Sequence, residues 1–266
     1  MWLLVVGAGG YWLSCMGKRV IFRPRRTCWP MQLPFEKIIY RQLAGGYLPP
    51  QPGRETLVFF HGRGGNISHF ESFALTYAKL GYGILMFDYR GFGLSKGTAS
   101  QRHIKQDVQT VLDYAFNVKK ISPSQLVLYG HSLGSAAALY AAQQGAPDTV
   151  KALILQSPFL STPDVAASWA TGTYRPHTAI YRLIRCVVTP FLYPNFFDNT
   201  RLISGLSMPV LVCMSRQDTL LPWQQSARLA QQIPHAQHWV ADSGGHDEFA
   251  WAAPTVNQFI TRQVPS

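Results

Sequence analysis

Between an apolar run, Gln125–Tyr129, and a run of small residues, Ser135-Ala136-Ala137-Ala138, lies the pentapeptide Gly130-His131-Ser132-Leu133-Gly134. A Gly-x-Ser-x-Gly set between a strand and a helix predicts a nucleophile elbow. The turn is so tight that its serine adopts a strained backbone. Glycine on either side removes the Cβ atoms that would clash, and the small residues that follow let the helix lie close to the sheet. Ser132 would then stand at a helix N-terminus, where the dipole favours developing negative charge.

The same alternation extends over most of the chain. Thr56–Phe60, Gly83–Tyr89, Gln125–Tyr129, Ala152–Gln156, Val210–Met214 and His238–Ala241 read as strands, with Phe35–Leu43 as an early, half-buried one. Stretches near Phe70–Lys79, Ile104–Asn117, Gly134–Gln143, Trp223–Gln232 and Pro254–Arg262 carry helical periodicity. Several strands are apolar on both faces, which predicts an α/β fold with a mostly parallel central sheet and helices on both faces. In such sheets the site forms at the carboxyl ends of the strands. The stretch 159–206 breaks the rhythm with prolines at 163, 176, 190 and 194 and reads as a small helical cap. Trp169, Tyr174, Tyr181, Phe191, Tyr193, Phe196 and Phe197 either line an apolar substrate pocket there or form the cap's own core.

A serine hydroxyl is a poor nucleophile without a base. His246, in Ser243-Gly244-Gly245-His246 after the last strand, is the best placed of the eight histidines. His61 belongs to another part of the site, and His131 lies inside the elbow and points elsewhere. The remaining five read as surface or packing residues. The base needs an acid to fix its tautomer. Asp218 follows the strand Val210–Met214, and the order Ser, Asp, His suits an elbow of this kind. Asp88 competes for the role, with a structural carboxylate as its plainer reading. For the oxyanion, the loop His61-Gly62-Arg63 offers the backbone N–H of Arg63, and Leu133 after the nucleophile offers the second.

The net charge of +11 invites a nucleic-acid reading, which its distribution argues against. Lys18, Arg19, Arg23, Arg25 and Arg26 crowd the N-terminus, and the first acid is Glu36. Basic residues directly after an apolar run suit anionic headgroups, at roughly 1 kcal/mol each. Residues 1–17 therefore read as a transmembrane anchor, with a cleaved signal peptide or a packed terminal element as alternatives. Residues 18–34 read as a basic, proline-containing linker, and 35–266 as the catalytic domain. Val5-Val6-Gly7-Ala8-Gly9-Gly10 imitates a dinucleotide fingerprint, but Trp12 replaces the third glycine and no ribose-binding acid follows. Gly62–Gly65 lacks the Gly-Lys-Ser/Thr ending of a P-loop. Cys15, Cys28, Cys186 and Cys213 show no metal-binding or disulfide spacing, so no cofactor or metal is expected and the redox compartment stays open.

The run Met86-Phe87-Asp88-Tyr89-Arg90-Gly91-Phe92-Gly93-Leu94-Ser95-Lys96-Gly97-Thr98 resembles the signature of membrane-anchored α/β-hydrolase-domain proteins. That group includes bacterial hydrolases of uncharacterised or peptidase-like type, and protein depalmitoylases among its eukaryotic relatives. The resemblance spans roughly Val20 to Phe259 and takes in Ile21-Phe22-Arg23-Pro24, His61-Gly62, Gly130–Gly134, Asp218 and Gly245-His246. It implies the α/β-hydrolase fold, the Ser132–Asp218–His246 triad and a membrane anchor together. Arg63 stands where relatives often have a small or amide residue. The region Leu43–Glu55 is shorter than usual, predicting the loss of an early strand. The expected function is serine-hydrolase cleavage of acyl esters or thioesters, acting at a membrane without an obligate protein partner. A peptidase or amidase is the alternative, and an inactive membrane-tethered binding module a third reading.

Overall fold

The computed structural model describes residues 22–28, 30–144, 146, 149–189 and 197–263. Its strands are β1 (Glu36–Tyr40), β2 (Leu43–Leu48), β3 (Thr56–Phe60), β4 (Gly83–Phe87), β5 (Leu126–His131), β6 (Ala152–Gln156), β7 (Val210–Ser215) and β8 (Gln237–Ala241). They form one sheet in the order β8-β7-β6-β5-β3-β4-β2-β1, in which β2 runs antiparallel to both neighbours and every other pairing is parallel.

All residues of β3 to β7 are buried, and the two-residue period of a strand divides them between two cores. Val58 and Phe60, Leu85 and Phe87, Leu126 and Leu128, Leu153 and Leu155 face one side. There they meet α2 (Gln101–Asp113), α3 (Leu133–Gln144) and α6 (Trp223–Ala230). Leu57 and Phe59, Ile84 and Met86, Val127 and Tyr129, Ala152 and Ile154 face the other, with α1 (Glu71–Ala78) and α7 (Ala253–Arg262). Each large apolar side chain so buried contributes roughly 1.5–3 kcal/mol relative to exposure. A strand enclosed on both faces has no room for alternation, which is why these runs are apolar throughout.

From β3 the chain crosses to β4 on one side and returns to β5 on the other. This reversal opens a crevice at the carboxyl ends of β3 and β5. Between β6 and β7 lie α4 (Thr162–Thr171), α5 (Ala179–Leu183) with its π-helical continuation Ile184–Val188, and the turn Asn199–Arg201.

Two expectations need correction. Phe35–Leu43 is not one strand followed by a shortened region. β1 and β2 form a hairpin with Tyr40 opposite Leu43, turned by Arg41 at φ 54°, and β2 supplies the early strand expected to be lost. The transmembrane helix also falls: among the described residues no helix is long and apolar enough to cross a membrane. The apolar segment 1–17 on which it was placed lies outside the described residues, as do 18–21. Residues 22–28, in the stretch read as a linker, lie against the domain. Arg23 and Pro24 pair in parallel with Gly64 and Gly65. Asn66 Nδ2 donates to the carbonyls of Arg25 (3.0 Å) and Thr27 (2.8 Å), and the Arg26 guanidinium reaches Ser95 O and Gly97 O.

Candidate active site

β5 ends at His131 and α3 begins at Leu133, leaving Ser132 alone in the turn with φ 52°. A non-glycine residue in this left-handed region carries a strain of about 1–3 kcal/mol. Its neighbours explain the glycines. A Cβ on Gly134 would sit 1.8 Å from the Phe60 carbonyl oxygen, and one on Gly130 would sit 2.6 Å from Gly134 O. The strained turn is held by Ser132 N donating to Gln156 O (3.0 Å) and by Ser135 N donating to Ser132 O (2.9 Å). Ser132 is buried but for the face it gives to a pocket.

The loops after β7 and β8 bring Asp218 and His246 together, with His246 Nδ1 2.7 Å from Asp218 Oδ2. Asp218 Oδ1 accepts from Leu220 N (2.9 Å) and Leu221 N (2.8 Å). Burial pushes this carboxyl up, but the hydrogen bond and charge of His246, with the Leu221 amide, outweigh it and hold it below the usual carboxylate range. An ionised carboxylate only accepts, so Nδ1 carries the ring proton and Nε2 is the basic nitrogen. His246 Nε2 is buried and makes no hydrogen bond. The Asp218–His246 pair is therefore formed, and the His246–Ser132 bond is not. In resting sites such bonds often tighten only when substrate arrives.

The pocket beside Ser132 is a cavity of about 50 Å³. Arg63 and Leu133, the expected oxyanion donors, both border it with Ser132. A Cβ built on Gly62 would lie 3.5 Å from Ser132 Cβ, so the loop after β3 passes directly over the nucleophile. Among the aromatic residues read as either pocket lining or cap core, Trp169 and Phe197 line the pocket. Tyr181 instead turns its hydroxyl to Asp164 inside the cap, and Tyr174 packs edge-on against it at 5.7 Å. Phe191, Tyr193 and Phe196 lie outside the described residues.

Asp88 takes no part in this arrangement. It is buried near the ends of β3 and β4, where Ile67 N donates to it at 2.7 Å and Leu94 N also does. Burial still wins and pushes its carboxyl up to about 7. His131, His246 and Asp247 bring metal-ligating atoms within 4.8 Å of one another. Of their ring nitrogens, His131 Nε2 and His246 Nδ1 are already committed to hydrogen bonds, which leaves His131 Nδ1 and His246 Nε2 without one.

Comparison with known proteins bears on the fold. Residues 55–176 match a family model described as alpha/beta hydrolase fold. The esterase Pf2001 of Pyrococcus furiosus superposes with a TM-score of 0.69 at 17% identity, over 90% of this chain and 96% of that one. This chain has the α/β-hydrolase fold. In sequence it is 29% identical over 229 residues to the uncharacterized protein YfhR of Salmonella typhimurium, covering 78% of this chain and 72% of the relative. It is 35% identical over 177 residues to protein bem46 of Schizosaccharomyces pombe, covering 66% of this chain and 55% of the relative.

Three residues of this candidate site escape a reading of the sequence. His131 does not merely point away: its Nε2 lies 2.8 Å from the carbonyl oxygen of His246, pinning the backbone of the candidate base. A carbonyl only accepts, so Nε2 carries the proton. Burial, with the neighbouring His246 charge, pushes the ring down to about 3 and keeps it neutral. Gln156 accepts at its carbonyl from Ser132 N and donates from Nε2 to Glu248 O (2.7 Å), linking the elbow to the histidine loop. Ser157, at φ 48°, borders Asp218 and donates its N–H to Cys213 O. The one signal available was position, since Gln156 and Ser157 end a strand beside the elbow strand.

Proposed function

We propose that this chain is a serine hydrolase that cleaves carboxylic esters or thioesters through an acyl-enzyme at Ser132. One observation carries the proposal: a formed Asp218–His246 pair with a bare Nε2, on a backbone pinned by His131, the residue before a serine in a strained turn on the wall of an apolar pocket. Structural neighbours add support, among them acetyl xylan esterase 1 of a Thermoanaerobacterium at a TM-score of 0.62.

Ser132 Oγ attacks the acyl carbon while His246 Nε2 takes its proton. Asp218 steadies the imidazolium through Nδ1. The tetrahedral oxyanion is received by the backbone N–H groups of Arg63 and Leu133, each such donor accelerating turnover about a hundredfold or more. His246 then gives the proton to the departing alkoxide or thiolate, and water repeats the sequence on the acyl-enzyme.

The experiment is turnover of p-nitrophenyl acyl esters and acyl thioesters by the purified chain. Wild type is expected to hydrolyse them, Ser132→Ala to fall to background, and Asp218→Asn to lose about 10⁴-fold with its fold intact. Folded wild type that cleaves no acyl ester or thioester contradicts the proposal, and faster cleavage of peptide bonds than of esters replaces it with a peptidase.

A further inference from the structure

α4 closes the pocket with one face. Thr162, Val165, Ala166 and Trp169 recur at helical spacing, and all four line the cavity. Trp169 is the outermost of them and is 37% exposed, so its indole has the cavity on one side and solvent on the other.

Two contacts fix that ring, each from a loop of the candidate site. Nε1–H donates to the Leu220 carbonyl at 2.8 Å, and the Leu220 amide in turn donates to Asp218 Oδ1. From the opposite loop the Arg63 guanidinium lies over the indole, 4.4 Å from its centroid. A cation over the best of the aromatic faces orients the ring as well as attracting it. Trp169 is thus a wall held from both ends, and α4 alone does not fix its position.

The space behind that wall is small. A dry cavity of about 150 Å³ accepts benzene, and about 10–15 Å³ of such space holds one water-sized group. At about 50 Å³ this cavity has room for roughly three to five groups of that size beyond the carbonyl carbon at Ser132. Its lining is almost wholly apolar, from Phe159, Val165, Phe197 and Leu221 among others, so a short saturated chain fits in character as well as in size.

We propose that Trp169, latched between Arg63 and the Leu220 carbonyl, sets acyl-chain length at this site and restricts it to short acyl groups of about six carbons or fewer. This rests on the acyl-enzyme reading above. Trp169 touches the acyl tail and no reacting atom, so it determines specificity and takes no part in the chemistry. Removing the indole opens the cavity toward solvent past α4, where a longer chain finds apolar surface. Each methylene so accommodated favours the long substrate by up to about fourfold.

The test compares kcat/KM for p-nitrophenyl butyrate and octanoate in wild type, Trp169→Ala and Trp169→Leu. Wild type is expected to prefer butyrate. Trp169→Ala is expected to raise the octanoate-to-butyrate ratio at least tenfold, and Trp169→Leu, which keeps an apolar but smaller wall, to raise it less. A purely structural role would lower both rates together and leave the ratio unmoved. An unchanged ratio in whichever variants fold, or a wild type that prefers octanoate, overturns the proposal while leaving the acyl-enzyme intact. No ester turnover by wild type overturns both.

Discussion

Three buried side chains around the site make no chemical step in the proposed reaction, yet they shape how the stability of the fold responds to pH. Burial pushes His61 down to about 4 and His131 down to about 3, while it pushes Asp88 up to about 7. These are consistent neighbours, since the bare Nε2 of a neutral His61 lies 3.7 Å from Asp88 Oδ1. For the histidines the folded pKa lies below the unfolded value of about 6.5. Their contribution to stability is full above that value and is lost as pH falls toward 3–4. For Asp88 the folded pKa lies above the unfolded value of about 3.9. Its contribution is full at low pH and is lost as pH rises to about 7. Asp88→Asn removes only the second effect. Thermal melts should show the variant gaining on wild type from pH 5 to about pH 7 and levelling off above it. The altered hydrogen bond to Ile67 adds an offset that does not vary with pH, so a constant difference in Tm would refute the assignment. Little of this was legible in the sequence. Ser132, Asp218 and His246 could be read because each follows a recognisable apolar strand. His131, Gln156 and Ser157 act through contacts with residues distant in the chain, and no local pattern announces them.

At the scale of elements, the elbow is the most tightly specified part of the chain. Helix α3 approaches β3 so closely that the Gly134 Cα faces the Phe60 carbonyl. Gly134→Ala places a methyl inside a backbone contact that cannot swing aside as a side chain would. The cost should reach or exceed the roughly 1–3 kcal/mol of ordinary overpacking. A lowered urea midpoint with an unchanged m-value is the expected result, and a wild-type midpoint would show that the helix can shift freely. Strands enclosed on both faces were legible to within a residue or two, because a short, continuously apolar run between turn residues must be covered from both sides. The β1–β2 hairpin was not. Its turn uses Arg41 at positive φ, where a glycine or asparagine would have signalled it. Gly45 in β2 reads as a breaker, yet a Cβ there would lie 2.4 Å from Met86 O and 2.6 Å from the Phe87 ring. Close strand packing demanded that glycine, and sequence alone cannot separate this from a loop.

Across the whole molecule, loops from four strands, β3, β5, β7 and β8, converge at one edge of the sheet. The reversal of strand order between β3 and β5 makes the crevice, and the segment between β6 and β7 roofs it. A mostly parallel sheet, a site at its carboxyl ends and a cap at 159–206 were legible in the sequence, and the strand order was not. Nor was it legible which cap aromatics face substrate, because a pocket wall and a small helical core both call for apolar rings. Tyr181 and Trp169 differ only in where α4 and α5 place them. The central claim is that this arrangement activates one serine, and labelling by a fluorophosphonate probe tests it most directly. The folded wild-type chain should take up one label per molecule, and Ser132→Ala, shown to be folded by the same melt, should take up none. Unlabelled folded wild type, or undiminished labelling of Ser132→Ala, would contradict the account.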